Sequence, residues 1–278
     1  LGQDFLKAGL LDRAEEVFQK LTETQYSIQA RRALLEIFQR EKEWQQAIEA
    51  AQALQNSGTG NRNKQIAQFY CELAEDELVN RHPEKALPLL ETALATDRMS
   101  ARATILSGDA QLAMGNIEEA LNIWRRVEKQ SISHTVLVAQ RLMDGYQAVG
   151  RPQEGISLLK SYLAEAASID LLEVVFQAVL KQDGIEAANT LVHDELRRTP
   201  TLLGLDKLLE AQLLVVPPEI RQDLSFVRNL VQRYASKLSR YKCDHCGFEA
   251  RQFYWQCPGC HQWETYPPRR TEELKISA

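Results

Sequence analysis

"LSGDAQLAMGNIEEALNIWRRV", residues 106–127, is the stretch that decides the fold. Leu106 and Gly108 lie before the turn residue Gly115, and Ile117, Ala120, Trp124 and Val127 follow it at helical spacing. The pattern describes two helices folded back on one another, with small residues where the two backbones cross. The alanine of the second helix returns along the chain: Ala14, Ala47, Ala86, Ala120, then Gly155, then Ala188, at gaps of 33, 39, 34, 35 and 33 residues. A unit of two helices cannot bury its apolar faces alone, so such units stack.

This period and placement are the tetratricopeptide signature. The first copy, "LGQDFLKAGLLDRAEEVF", carries Gly2, Gly9 and Ala14 among Leu1, Phe5, Leu11 and Phe18. The long gap is explained by "NSGTGNRNK", Asn56 to Lys64, a run of turn formers read as an insertion. Pro200 falls at a repeat's closing proline, and beyond it "VVPPE" interrupts two weaker helical stretches. The expected architecture is an all-α superhelix, an α-solenoid of about six tetratricopeptide helix pairs over residues 1–200. A degenerate helical pair over 201–240, a four-cysteine rubredoxin- or zinc-ribbon-like domain over 241–268 and a tail over 269–278 complete it.

Bulk properties narrow the function. A net charge of -5 on intermixed acids and bases gives no field that would gather nucleic acid, and no nucleic-acid partner is expected. Arg31-Arg32, Arg125-Arg126 and Arg269-Arg270 read as solvated surface or tail. The longest apolar run, near Leu171 to Leu180, is broken by Glu173 and Gln177, well short of a membrane span. The chain opens on Leu1 rather than methionine, so we expect a trimmed fragment, which leaves room for an anchor or targeting segment upstream of it. Cys71, alone in a helical stretch, reads as a small buried hydrophobe. No phosphate loop, activated serine or paired acid–base site stands out, so an enzyme is not expected.

In this repeat the first helix of each pair lines the concave face. Its inward position reads Gln3, Glu36, Glu75, Asp109, Asp144 and Gln177. The acids Glu36, Glu75, Asp109 and Asp144 are therefore candidate partner-binding residues for a basic or amphipathic segment. The competing reading is a charged row satisfied by neighbouring lysines and arginines.

Near the end of the chain, "YKCDHCGFEARQFYWQCPGCHQW", Tyr241 to Trp263, places Cys243 and Cys246, then Cys257 and Cys260, in two C-x-x-C pairs. Four thiolates at this spacing suit one tetrahedral metal ion, iron or zinc, since both accept such a shell. Gly247, Pro258 and Gly259 fit the tight knuckle turns, and His245 and His261 read as spectators. His82, His134 and His193 have no partner cluster, and surface placement is expected for them. Seven of the chain's twenty aromatic residues, Tyr241, Phe248, Phe253, Tyr254, Trp255, Trp263 and Tyr266, crowd this cap, and docking onto the last helices would shield the excess. A rubredoxin-like electron carrier and a zinc ribbon that binds nucleic acid are the alternative functions.

Repeats ending in this cap resemble the lipopolysaccharide assembly protein B family of Gram-negative bacteria. The likeness is carried by "AGLLDRAEEVF" and by "YKCDHCGF" with "YWQCPGCHQW". The resemblance implies an adaptor on the cytoplasmic face of the inner membrane, held there by an N-terminal helix. It implies three partners: the committed-step deacetylase of lipid A synthesis, a membrane-bound AAA+ zinc metalloprotease that degrades it, and an inner-membrane signalling protein. Cys243, Cys246, Cys257 and Cys260 take the family's knuckle positions. A homodimer remains open from the sequence.

Overall fold

The computed structural model describes residues 1–238 and 240–272. The helices run in chain order as α1 (Gly2–Lys7), α2 (Leu11–Gln19), α3 (Ser27–Glu41), α4 (Trp44–Asn56), α5 (Asn63–Val79), α6 (Pro83–Thr96), α7 (Ala101–Ala113) and α8 (Ile117–Trp124). They continue as α9 (Val127–Gln130), α10 (Thr135–Ala148), α11 (Pro152–Glu165), α12 (Ile169–Gln182), α13 (Ile185–Arg198), α14 (Leu202–Leu213) and α15 (Pro218–Leu238). A 3-10 turn, Ile132–His134, precedes α10, and a two-stranded hairpin, β1 (Tyr241–Lys242) with β2 (Glu249–Ala250), opens the cap. The chain forms two compact units, Leu1–Ile123 and Trp124–Ala278.

Within the units helices pack on their sequence neighbours, as α5 does on α6 and α10 on α11, and three first helices also pack on the first helix of the following pair: α5 on α7, α10 on α12 and α12 on α14. This nearest-neighbour packing is what a tetratricopeptide stack requires. Every small residue that set the period lies on the second helix of its pair, and Ala14, Ala47, Ala86, Ala120 and Ala188 are fully buried. Gly155 shows why one copy departs from alanine: a Cβ there would stand 3.0 Å from the Tyr146 Cβ. Tyr146 has taken the volume that the missing methyl leaves.

The insertion is shorter than its composition suggests. Asn56 still belongs to α4, and Asn63 and Lys64 already belong to α5. Gln55 closes the loop by accepting from the Arg62 N–H at 2.7 Å and donating to Asn63 Oδ1 at 2.9 Å. Two side-chain amide bonds thus replace the apolar anchor that the loop lacks.

The second unit ends in α14 and α15, separated by the turn at Leu214–Pro217. Here charge takes over from apolar packing. Arg228 of α15 donates from Nε to Asp206 at 3.0 Å and from Nη2 to Glu210 at 2.6 Å, both on α14. Lys207 of α14, nearly buried, pairs with Glu210 and with Glu173 of α12. Burial opposes the charge on Lys207, but these two carboxylates outweigh it and raise its pKa.

Candidate metal centre

The cap is built so that four sulfurs converge. The β1–β2 hairpin brings the first knuckle round, with Gly247 at φ +75°, a left-handed conformation that glycine adopts without strain. In that knuckle the Gly247 N–H donates to the Cys243 carbonyl at 2.9 Å, and the Cys243 N–H to the Phe248 carbonyl at 3.0 Å. The second knuckle repeats the geometry, with the His261 N–H on the Cys257 carbonyl at 2.8 Å and the Gly259 N–H on the Cys257 sulfur at 3.3 Å. Gly259 is needed for another reason: a Cβ there would press on the Phe248 ring carbon at 3.1 Å.

All four Sγ atoms lie within 4.8 Å of one another, with Cys243 to Cys260 at 3.8 Å and Cys246 to Cys257 at 3.6 Å. A tetrahedron with metal–sulfur bonds of about 2.3 Å has edges of about 3.8 Å, so the donor set fits a four-coordinate ion. The chemistry of four thiols fits iron and zinc equally. Burial alone would raise the Cys243 thiol, but the Thr265 hydroxyl, 3.2 Å from the sulfur, and the backbone N–H groups of Cys246 and His245 bring it down to about 6. Cys260 is pushed up to about 12, first by burial and then by the neighbouring thiols. Thr265 escaped the sequence reading because it lies outside both knuckles. His245 and His261 are exposed, and neither belongs to the sulfur cluster.

Tyr241, Cys243, Cys257 and Tyr266 form the cap's buried core, with Phe253 packed against it. Tyr266 donates from its hydroxyl to the Phe248 carbonyl at 3.0 Å, which satisfies the one polar atom it buries.

Docking is real but reaches earlier helices than expected. His134, in the turn before α10, stacks on Trp255 with ring centroids 5.5 Å apart and meets Phe253 edge-on at 6.5 Å. The surface placement expected for His134 is therefore wrong: it is half-buried under the cap, and burial lowers its pKa to about 4. Asp170, in the first turn of α12, accepts from the Tyr241 hydroxyl at 2.9 Å. It also accepts two bonds from Arg270, Nε to Oδ2 and Nη2 to Oδ1, each at 2.8 Å. The Arg270 guanidinium covers the Tyr241 ring at 4.2 Å.

Arg270 was expected to be solvated tail; it is instead the cap's main fastening. The residues after it are also tied down. Thr271 donates from its N–H to the Arg240 carbonyl at 2.7 Å and from its hydroxyl to the Leu238 carbonyl at 2.6 Å. The Glu272 carboxylate accepts from the Leu202 and Leu203 N–H groups at 2.6 and 3.1 Å, capping the N-terminus of α14. Residues 273–278 of the expected tail, and Ser239, lie outside the described residues.

The four acidic positions all lie on first helices of their pairs, but they are not equivalent. Glu36 pairs with Arg40 at 2.5 Å, and Asp144 accepts from Gln140 at 2.7 Å. Glu75 is drawn to Arg102 at 2.5 Å; Arg102 is only 4% exposed and also holds Glu72 at 2.7 Å. Asp109 lies half-buried on α7.

Sequence comparison agrees with this architecture. Tetratricopeptide repeat models match residues 1–61 and 71–131, and a model described as a rubredoxin metal binding domain matches residues 241–268. Lipopolysaccharide assembly protein B of Escherichia coli K12 is 34% identical over 97% of this chain and 70% of its own length. The chain belongs to the lipopolysaccharide assembly protein B family. The Haemophilus influenzae member of that family is 26% identical over 98% of the chain and 69% of its own length. Among solved structures, a tetratricopeptide-repeat protein of Thermus thermophilus is 17% identical, covering 72% of this chain and 99% of that one at a TM-score of 0.39. Among the described residues no helix is long and apolar enough to cross a membrane.

Proposed function

We propose that this chain is a non-catalytic adaptor in lipopolysaccharide assembly whose repeats hold partner proteins and whose cap is closed by one iron or zinc ion on Cys243, Cys246, Cys257 and Cys260. The observation that carries the reading is the two-pronged Arg270–Asp170 pair, which fastens the cap to a repeat helix instead of leaving it on a linker. A fastened cap suits a platform on which two clients are held in fixed geometry. The ion would supply the cross-link that so small a module cannot obtain from its own core.

On this reading the clients are the committed-step deacetylase of lipid A synthesis and a membrane-bound AAA+ zinc metalloprotease. An inner-membrane signalling protein restrains the adaptor, at the cytoplasmic face of the inner membrane. Glu36, Glu75, Asp109 and Asp144 are the contacts offered to a basic client segment. The test is capture of both clients from solution by the purified chain and by its Cys257→Ser variant. Capture by the wild type alone supports the reading; equal capture by the variant removes the cap from it, and no capture by either removes the adaptor.

A further inference from the structure

We propose that the outer face of α15 pairs with that of a second copy of this chain, antiparallel, about a two-fold axis level with position 228. The inner side of the helix is accounted for: Ala235 is buried, Leu224, Val231 and Leu238 are half-buried, and Arg228 is held by Asp206 and Glu210. The outer side is not. Ile220, Val227 and Tyr234 follow one another at seven-residue intervals, with Phe226 and Leu230 beside them, forming one stripe. Phe226 is 64% exposed and Tyr234 67%. A contiguous stripe of this kind on a helix otherwise rich in charge marks an interaction surface.

The charges bordering the stripe choose the occupant. Glu219 and Asp223 lie at its N-terminal end, Arg233 and Lys237 at its C-terminal end, all four exposed and without an ion-pair partner among the described residues. Glu219 with Lys237, Asp223 with Arg233, and Phe226 with Leu230 are each centred on position 228. An antiparallel copy therefore sets acid against base at both ends and Phe226 against Leu230 in the middle. A parallel copy sets like charges together. Self-complementarity about one point is the requirement of an isologous interface, and antiparallel macrodipoles add to it. One helix against its copy is a small contact, so the dimer dissociates on dilution.

Sedimentation of the full chain over a dilution series tests this, with helicity of each variant followed by circular dichroism. The expected result is a concentration-dependent dimer, weakened about tenfold or more by Phe226→Ser, by Asp223→Arg and by Arg233→Asp. The double exchange, Asp223→Arg with Arg233→Asp, restores it. Because all these side chains are exposed, the variants keep the fold. A wild type monomeric at every concentration overturns the proposal, as does a dimer indifferent to Phe226→Ser or single exchanges that the double one fails to rescue. Co-sedimentation of a monomeric wild type with anionic phosphatidylglycerol vesicles, lost in Phe226→Ser, would give the stripe to lipid and equally overturn it.

Discussion

Arg270 and Asp170, one hundred residues apart in sequence, meet in a two-pronged pair with both contacts at 2.8 Å. The guanidinium fork matches the carboxylate, and the Tyr241 hydroxyl occupies a further lone pair of the same acid. Both side chains are mostly covered, at 16% and 30% exposure. Removing Arg270 leaves a largely covered carboxylate with only the Tyr241 hydroxyl to answer its charge, which costs more than the pair itself contributes.

Arg270→Ala should accordingly loosen the cap by about 2 kcal/mol or more, and Arg270→Lys should recover only part of it, since an ammonium cannot fork. Thermal unfolding followed by near-ultraviolet circular dichroism, which reports the packed rings around Trp255, reads the loss. An unchanged melting profile in Arg270→Ala would show that the pair does not hold the cap.

His134 makes the docking sensitive to acid. Its folded pKa of about 4 lies below the ordinary value of 6.5, so the unfolded chain binds the proton more readily. The contribution is complete above about pH 6.5 and is lost as pH falls toward 4, by up to about 3 kcal/mol. His134→Phe keeps the stack on Trp255 and removes the proton. Over that window the variant's stability should fall less steeply than the wild type's; parallel curves would mean that His134 titrates normally.

How much of this was legible in the sequence depends on the range of the interaction. The repeat register was readable because each crossing residue, from Ala14 to Ala188, interacts within its own helix pair. The four cysteines were readable because a knuckle is local, and their spacing alone brings sulfurs together. Asp170, His134 and Arg270 were not, because nothing near them in sequence distinguishes a docking residue from a solvated one. The placement of the cap on the turn before α10 and on α12 is a tertiary fact. Glu272 was missed likewise: it caps α14 from seventy residues downstream, where a cap is normally sought beside the helix it serves.

The crossings should be intolerant of volume. Gly155→Val would drive branched carbons into Tyr146, whose Cβ already limits even a methyl at 3.0 Å. Ala120→Leu overpacks a fully buried crossing in the other unit. Each should cost about 1–3 kcal/mol in chemical denaturation. A neutral Gly155→Val would mean that Tyr146 swings aside.

Loss of the metal should separate the cap from the repeats in its effects. The cap's core is four residues, two of them the ligands Cys243 and Cys257 themselves, so chelation removes the cross-link that pins half of that core in place. Its aromatic face then has no fixed geometry against His134, while the helices keep their own crossings. Cys243→Ser, or chelator treatment of the purified protein, should abolish much of the near-ultraviolet signal and leave the far-ultraviolet helical signal nearly intact. Glu272 extends the effect one step further. Its carboxylate reaches the α14 N-terminus because the cap sets the course of the segment that carries it, so hydrogen exchange at Leu202 and Leu203 should quicken in the same sample. Protection of those two amides unchanged after complete chelation would show that the segment around Glu272 holds α14 without the cap.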